Sequence, residues 1–392
     1  MSGAPQAPTG AGLDVESGRL LVVGGGLATA RLCSTLRRKK FRGPITVLSA
    51  ERRAPYDRPP LSKDVLLGKR DDTSLPFDVE KLDVEVRLGT RAVGLSTTDR
   101  QVHLADESLT YDALAVATGA APVRLPGAGR QLTLRTLDDA LALRAQLRPG
   151  ARVVVIGASW IGAEVATAAL AAGCRVTCLE FQPEPFAGAL GEDVGALTRS
   201  WWDDVDLRTS TAVASVETDG VHLGDGEVVP ADVVVTGVGV RPDLGWLEGS
   251  GLATDRGVLT DTRARTNVAQ VVALGDVAQR WSHHTGTHRL AEHWDEASTV
   301  AAAAAGALLG WDEGPEHDPV PYFWSDLFGR SLQYVGAHAP DDDVHVDRAP
   351  DGSLGRAVWS RQGVLSAWLG VDARPEVVRA RTTVGRPVTE LA

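Results

Sequence analysis

The chain has 392 residues, of which 43% are hydrophobic and 23% are charged, and its formal net charge is −11 at pH 7. This length predicts two or three domains, and the apolar fraction is enough to form a core in each. The acidic balance argues against binding to nucleic acid. No apolar run reaches the roughly 18 residues that cross a bilayer. Because the N-terminal segment also has no apolar signal core, we expect a cytoplasmic protein without a membrane partner.

A glycine-rich turn follows the first apolar run of the sequence. Residues 19–23 lead into Gly24 and Gly26, and an apolar helical stretch then leads to a second strand, 45–48. Gly24 permits a tight turn, and Gly26 lets the backbone approach a pyrophosphate at the positive end of the helix. Thr29 stands at the third glycine position, where the helix packs closely on the strand, so this copy is irregular. The pattern predicts a dinucleotide-binding unit.

The segment that follows, residues 31–70, is strongly basic, with twelve Lys or Arg and three acids. Two interpretations are open: a solvated helix end and loop, or a surface that steers and docks an acidic partner. Neutralising Arg37, Arg38, Lys39 and Lys40 would test the second interpretation.

The strand–turn–helix–strand pattern recurs after a second apolar strand, residues 152–156. Gly157 and Gly162 take the first and third glycine positions, and Ser159 takes the middle one. An Ala-rich helix then leads to a strand that ends at Glu180. Two such units predict two bound dinucleotides, and FAD with a nicotinamide dinucleotide is the natural pair.

Glu180 decides which nicotinamide dinucleotide we expect. An acid at the end of the second strand bonds a ribose 2′-hydroxyl and repels a 2′-phosphate. The next residues, Phe181, Gln182 and Pro183, supply no arginine for that phosphate. We therefore expect NADH rather than NADPH.

Several short segments together carry a resemblance to a known family. Residues 55–63 read P-Y-D-R-P-P-L-S-K, and the other segments are 117–119 (ATG), 134–139 (LRTLDD), 275–276 (GD), 292–294 (EHW) and 321–326 (PYFWSD). With these segments the chain resembles the FAD-dependent ferredoxin reductases, which include the reductases of bacterial aromatic-ring dioxygenases and of cytochrome P450 systems. Rubredoxin reductase and apoptosis-inducing factor are more distant relatives of that family.

The resemblance implies a set of cofactor-binding residues. For FAD these are Gly24, Gly26, Ala28, Glu51, Arg58, Lys63, Ala92, Arg135, Asp276 and Trp294, and for the nicotinamide cofactor they are Gly157, Ser159, Ile161, Gly162 and Glu180. Asp276 would hold the ribityl chain, Ala92 would present its backbone to the adenine, and Trp294 would lie beside the flavin ring. Relatives commonly have Asp-Glu where this chain has Ala50 and Glu51, so either Glu51 or another group holds the FAD ribose.

Three residues are candidates for the chemistry: Lys63, Glu164 and Trp324. The resemblance places Lys63 and Glu164 near flavin N5. A fixed cation there stabilises a reduced, anionic flavin, and a carboxylate keeps that cation charged and oriented. A structural ion pair is the plainer interpretation of the same two residues. The motif favours a position for Trp324 near the nicotinamide or on the electron exit path, and a packed core aromatic is the alternative.

The cysteines indicate how electrons leave the flavin. Cys33, Cys174 and Cys178 form no C-x-x-C or C-x4-C pair, whereas a redox-active dithiol needs two cysteines a few residues apart on the flavin face. The chain also lacks the cysteines for an iron–sulfur cluster of its own. We therefore expect a separate [2Fe–2S] ferredoxin, serving an oxygenase or a cytochrome P450, as the acceptor.

Two alternative functions stay open. One is an NADH oxidase or a small-molecule reductase in a biosynthetic pathway, and the other is a flavin-binding signalling protein of the apoptosis-inducing-factor type. A metal site is not expected, because the histidines of the polar loop are joined by no cysteine and match no compact ligand spacing; they are His283, His284, His288 and His293.

The expected fold class is α/β, with two Rossmann-like dinucleotide-binding domains and a C-terminal α+β domain. The predicted division has a disordered tail (1–14), an FAD domain (15–120 and 247–318), an NADH domain (121–246) and a C-terminal domain (319–392). Either a monomer or a homodimer is compatible with this organisation.

Overall fold

A computed structural model describes residues 12–311 and 316–391. Its α-helices are α1 Leu27–Arg38, α2 Leu137–Arg144, α3 Trp160–Ala171, α4 Ala187–Leu190, α5 Glu192–Ala196, α6 Trp294–Thr299, α7 Ala301–Leu308 and α8 Val377–Thr383. Its strands are β1 Leu20–Val23, β2 Ile45–Ser49, β3 Val84–Leu88, β4 Gly94–Ser96, β5 Gln101–His103, β6 Ser108–Thr110, β7 Ala113–Val116, β8 Ala120–Pro122, β9 Arg152–Ile156, β10 Arg175–Leu179, β11 Asp206–Arg208, β12 Val213–Glu217, β13 Gly220–Leu223, β14 Val228–Val229, β15 Val233–Thr236, β16 Val240–Pro242, β17 Val258–Thr260, β18 Val271–Ala273, β19 Ala278–Ser282, β20 Thr287–Leu290, β21 Tyr322–Leu327, β22 Arg330–Gly336, β23 Asp343–Arg348, β24 Leu354–Arg361 and β25 Val364–Val371.

The chain divides into two compact units. The first contains the chain up to Asp57, Ser74–Ala121 and Arg241–Pro319, and the second contains Arg58–Thr73, Pro122–Val240 and the chain from Val320 onward. This division groups residues that pack together, whereas the domains predicted from the sequence were defined by the cofactor that each one is expected to bind. The cofactor of each predicted domain therefore stays a prediction.

The first unit is built on a parallel sheet with the strand order β18-β7-β1-β2-β3. All four residues of β1 are apolar and buried, because the strand lies between β2 and β7 and is covered on both faces. Helices α1 and α7 share one core cluster with this sheet, which includes Leu32, Leu36 and Leu308. On the other face, Val102 of the small antiparallel sheet β4-β5-β6 joins a second cluster.

The second unit is built on a parallel sheet with the order β11-β10-β9-β15. Strand β9 pairs with β10 and β15, and its residues Val153 to Ile156 are buried. Helix α3 buries small residues such as Gly162, Ala163 and Ala166, which let its backbone come close to the sheet. The antiparallel sheet β12-β13-β14 also belongs to this unit.

The C-terminal part of the second unit is an antiparallel sheet in the order β21-β22-β25-β24-β23. Its core contains Val335 and Trp368, both with no exposed surface, and Ala380 of α8 packs into the same cluster. Alternate residues of β21 and β22 can therefore face either this core or the rest of the second unit.

The fold class predicted from the sequence is confirmed, since two parallel sheets with glycine turns and a C-terminal α+β region are present. The C-terminal region, predicted to be α+β, contains the strands β21 to β25 and helix α8. Strand β23, with the sequence DVHVDR, lies at the edge of this sheet and has no buried residue. Most of the predicted disordered tail lies outside the described residues.

The basic segment 31–70 is divided between the two units after Asp57. The guanidinium of Arg37 donates hydrogen bonds of 2.7 to 2.9 Å to backbone carbonyls, which belong to Phe41, Gly43, Leu82 and Asp83. Arg37 therefore joins the end of α1 to the turn before β3 and is a structural residue, not a docking residue. The side chain of Lys39 lies 4.2 Å from the ring centroid of Trp311, whereas Arg38 and Lys40 are exposed.

Replacing Arg37 is expected to destabilise the protein. We predict that Arg37→Met lowers the free energy of unfolding by roughly 2–4 kcal/mol, because several carbonyls lose a charged donor at once. The neighbouring Arg38→Met is the control and should change stability by no more than about 0.5 kcal/mol. Urea unfolding measures both values. Equal effects of the two substitutions would show that Arg37 is only a surface charge.

Candidate functional site

The glycine turn of the first unit connects β1 to α1. Gly24 has a φ of +121°, and a Cβ added there would lie 2.0 Å from the carbonyl oxygen of Ala117, so only glycine fits. The hydroxyl of Thr29 donates a 2.6 Å hydrogen bond to the carbonyl of Gly24. Thr29 thus closes the turn with its side chain at the position where the pattern has a third glycine. By contrast, a Cβ added to Gly26 would meet no atom within 4 Å.

The N-terminus of α1 has the features of an anion site. Gly26 precedes the helix, no side chain caps it, and its first turn carries no acid. The turn that contains Asp276 lies beside it, since a Cβ added to Gly275 would lie 3.3 Å from the Cβ of Ala28. The structure therefore brings Gly26, Ala28 and the Asp276 turn together, as the predicted FAD site requires.

Glu51 follows β2, and its carboxylate accepts a hydrogen bond from the hydroxyl of Tyr56. Its carbonyl accepts a hydrogen bond of 2.9 Å from the N–H of Gly89, which fixes the segment leading to Ala92 beside it. The N–H of Thr90 likewise donates to Ser49. Glu51 and the loop that carries Ala92 therefore lie at the same edge of the sheet.

Trp294 is the first residue of α6, and its indole N–H donates a 2.6 Å hydrogen bond to the carboxylate of Asp57. Asp57 belongs to the motif at residues 55–63. This bond joins two segments that the resemblance assigned to the flavin site, and it fixes the plane of the Trp294 ring.

The glycine turn of the second unit connects β9 to α3. A Cβ added to Gly162 would lie 1.9 Å from the carbonyl oxygen of Gly157, so the third glycine is required here for close packing. The hydroxyl of Ser159 donates to the carbonyl of Gly237 and does not cap α3. Ile161 is 40% exposed in the first turn of the helix.

Glu180 follows β10, and its carboxylate accepts hydrogen bonds from the N–H of Ala158 (2.6 Å) and the N–H of Gln182 (2.8 Å). The acid is thereby held against the glycine turn of its own unit. Nearby Arg199 is paired with Glu184 at 2.7 Å. Among the described residues of this loop, no unpaired arginine is therefore available to bind a 2′-phosphate.

The pair of Lys63 and Glu164 forms within the second unit, with 2.7 Å between Lys63 Nζ and Glu164 Oε1. Glu164 is 3% exposed and also accepts hydrogen bonds from the hydroxyls of Ser62 and Ser325. Lys63 lies on a turn of π-helix, Leu61–Val65, a geometry that is often found at functional sites. The sequence predicted the pair, and the two serines lie within the motifs at 55–63 and 321–326, but no role was predicted for them.

Arg58 and Arg135 come together in the second unit, where the guanidinium of Arg58 donates to the carbonyl of Arg135. The N–H of Arg135 donates to Asp139, which also forms a capping box with Thr136 at the start of α2. Trp324 lies on β21 and stacks on Tyr322, with 6.0 Å between the ring centroids and 27° between the ring planes. Trp324 is only partly buried.

Cys33, Cys174 and Cys178 are all free and buried. Burial raises the pKa of the Cys33 thiol to about 12 and also raises the pKa of the Cys178 thiol. Because the thiolate is the reactive form, these thiols are inert near neutral pH. This burial agrees with the prediction that no dithiol takes electrons from the flavin.

Two of the polar-loop histidines contact other groups. His283 lies 3.4 Å from Glu316, and His284 lies 3.1 Å from the carbonyl of Asp318. Within the described ranges, no three His, Cys, Asp or Glu side chains group as metal ligands. Among the same residues, no helix has the length and apolar character that crossing a membrane requires.

The fold and site thus define a protein with two dinucleotide-binding units and a buried Lys–Glu pair. The chain belongs to the pyridine nucleotide-disulphide oxidoreductase family, whose model matches residues 18–301, and a second model, described as reductase C-terminal, matches residues 322–390. The family that the short sequence motifs indicated is therefore confirmed.

Relatives and solved structures agree with this membership. The chain is 36% identical over 340 residues to the anthranilate 1,2-dioxygenase system ferredoxin–NAD(+) reductase component of Burkholderia cepacia, covering 81% of each chain. The crystal structure of Fdr9 is similar with a TM-score of 0.91 and 50% identity, covering 96% of this chain and 99% of that one. The covalent putidaredoxin reductase–putidaredoxin complex gives a TM-score of 0.88 at 27% identity, covering 96% of both chains.

Two glycine-to-alanine substitutions should have opposite effects. Gly26 has a φ of −97° and open space at its Cβ position, so Gly26→Ala should keep the free energy of unfolding within about 0.5 kcal/mol but lose the dinucleotide. Gly162→Ala should lower stability by roughly 1–3 kcal/mol, because its methyl group would overlap Gly157. Thermal unfolding and the ratio of cofactor to protein measure the two effects. A destabilised Gly26→Ala that retains its dinucleotide would contradict this assignment.

Proposed function

We propose that this protein takes hydride from NADH onto bound FAD and passes single electrons to a [2Fe–2S] ferredoxin. The observation that carries the proposal is the buried Lys63–Glu164 pair, in a chain whose two units each have a glycine turn at a helix N-terminus. The similarity to ferredoxin–NAD(+) reductase components of dioxygenase systems supports the same reaction. It also supports a downstream oxygenase or cytochrome P450.

The first unit has residues that fit FAD. The open space at Gly26 and the uncapped N-terminus of α1 would accept the pyrophosphate. Ala28 would line that turn, Asp276 would bind the ribityl chain, and Glu51 would bind the adenosine ribose. Further contacts to FAD are assigned to Ala92 and Trp294 of this unit, and to Arg58 and Arg135 of the second unit. When it is bound, FAD supplies the ability to accept a hydride and to release its two electrons one at a time.

The second unit has residues that fit NADH. Gly157, Ser159 and Gly162 shape the turn that would hold the pyrophosphate, and Glu180 would bind the adenosine ribose. Exposed apolar side chains follow β9, β10 and β15 of this sheet: Ile161 (40%) in the first turn of α3, Phe181 (71%) in the loop after β10 and Val238 (40%) in the loop after β15. Such side chains at the carboxyl edge of a parallel sheet favour a bound ligand.

The role of Lys63 follows from its partners. The carboxylate of Glu164 holds the ammonium group in one place, with 2.7 Å between Lys63 Nζ and Glu164 Oε1. Lys63 would direct that positive charge at the flavin, where negative charge accumulates as hydride arrives. Because the Lys63 side chain is only 18% exposed, water screens this interaction weakly.

The electron acceptor is proposed to be a separate protein. With the three thiols buried, no dithiol of this chain is available, although the family name refers to disulphides. Trp324 is proposed to lie near the nicotinamide or on the electron exit path. A putidaredoxin reductase of similar fold has been solved in a covalent complex with putidaredoxin, which supports a direct protein contact. We place the protein in the cytoplasm, where such partners and NADH occur together, as a monomer or a homodimer.

The proposal is tested by anaerobic titration of the purified holoprotein with NADH, followed by addition of a [2Fe–2S] ferredoxin. We expect one equivalent of NADH to bleach the flavin absorbance fully, and two equivalents of ferredoxin to restore it, because each [2Fe–2S] cluster accepts one of the two electrons. Titration of free thiols before and after reduction should give the same value, because no cysteine pair takes up electrons.

The other outcomes identify the alternatives. Rapid reoxidation by oxygen or a quinone, without transfer to any ferredoxin, would indicate an oxidase or a small-molecule reductase. Slow reduction that ends in a stable flavin–nicotinamide complex would indicate a signalling flavoprotein. Absence of flavin absorbance after reconstitution with FAD would contradict the proposed function.

A further inference from the structure

Strand β21 runs along one side of α3. Three contacts join the two elements, and they occur in the same order along the strand and along the helix. The ring of Phe323 lies 5.0 Å from that of Trp160, the hydroxyl of Ser325 bonds to Glu164, and the N–H of Phe328, just after the strand, bonds to Thr167 at 2.9 Å. Two strand residues span about 6.6 Å, and one turn of helix spans about 5.4 Å. The spacing of alternate residues on β21 therefore fits successive turns of α3.

The middle contact, from Ser325 to Glu164, involves the carboxylate that also binds Lys63. Glu164 Oε1 accepts a 2.6 Å hydrogen bond from Ser325 Oγ and a 2.7 Å bond from Lys63 Nζ, so both donors share one oxygen. The other oxygen accepts from Ser62. Ser325 is 1% exposed, and Glu164 is 3% exposed. Water therefore cannot replace the hydrogen bond between them.

We propose that Ser325 is a positioning residue for hydride transfer, through which the C-terminal strand sets the orientation of Glu164 and thereby of Lys63. A carboxylate held by Lys63 alone could rotate about its side-chain torsions and carry the ammonium group with it. The hydroxyl of Ser325, fixed on β21, and that of Ser62, fixed on the π-helical turn, remove this freedom. The C-terminal region thus contributes a positioning residue to the reaction site.

This inference rests on the proposed function, because it needs a flavin that NADH reduces. Displacement of a reacting group by about 1 Å can cost up to 100-fold in rate. The proposal therefore predicts a loss in the rate constant of reduction, while the affinity for NADH is unchanged, since Ser325 acts on Lys63 and not on the nucleotide site.

The test is stopped-flow reduction of the FAD-loaded protein by NADH, comparing wild type with Ser325→Ala. We expect the limiting rate constant to fall about tenfold, which is between no effect and the 100-fold loss for a displacement of about 1 Å. The dissociation constant for NADH should be unchanged. Ser325→Thr keeps the hydroxyl and should recover most of the rate. Ser331→Ala, in the neighbouring strand β22 and bonded to Arg374 instead of Glu164, is the matched control and should reduce like the wild type.

A double-mutant cycle separates positioning from packing. In a Lys63→Met background, Ser325→Ala should cause no further loss, because its effect is transmitted through Lys63. An equal loss in both backgrounds, or wild-type reduction by Ser325→Ala, would overturn the inference. If Ser325→Ala does not fold, Ser325→Cys, which keeps the size but donates weakly, takes its place in the cycle. Failure of the wild type itself to be reduced would instead refute the proposed function.

Discussion

The second unit depends on one buried carboxylate. Glu164 is 3% exposed on a helix that otherwise buries small apolar residues, and a charge in such a place is costly unless it is paired and fully hydrogen-bonded. Ser62, Lys63 and Ser325 supply that pairing from two segments that are distant in sequence. The need to satisfy one acid therefore fixes the π-helical turn and the C-terminal strand against α3. A stable fold could use an apolar residue at this position, which is why we assign the buried charge a role in the proposed reaction.

The two glycine turns solve the same problem with different residues. In the second unit, Gly162 is required because a Cβ would overlap the carbonyl of Gly157. In the first unit, Thr29 takes that place and bonds to the carbonyl of Gly24 through its hydroxyl. Both arrangements leave the helix N-terminus without a side-chain cap. What the two copies have in common is therefore a helix N-terminus whose N–H groups no side chain caps, and such a group of N–H donors is what a pyrophosphate binds. A third glycine, as in the second unit, and a hydrogen-bonded threonine, as in the first, both produce this arrangement.

Much of the fold could be predicted from the sequence, because strands such as β1 and β9 are unbroken apolar runs followed by glycine. The Lys63–Glu164 pair was also predictable, but only through a resemblance to known reductases. Ser62 and Ser325 lie within two of the motifs that carried this resemblance, but their bonds to Glu164 could not be predicted, because the bond from Ser325 joins residues 161 positions apart. The contacts of Arg37 could not be predicted for a similar reason: the sequence shows its charge, but not that the carbonyls of Leu82 and Asp83 lie within reach.

The central claim is that the charge of Glu164 serves hydride transfer through Lys63. It is tested most directly by the rate constant at which NADH reduces the FAD-loaded Glu164→Gln protein. The amide keeps the size of the side chain and can still bond to the serines, but it removes the negative charge that holds the ammonium group. The account predicts a fall in this rate constant of about 100-fold, comparable to the loss of one preorganised electrostatic contact, with FAD still bound. Reduction at the wild-type rate would show that the pair is structural and would contradict the account.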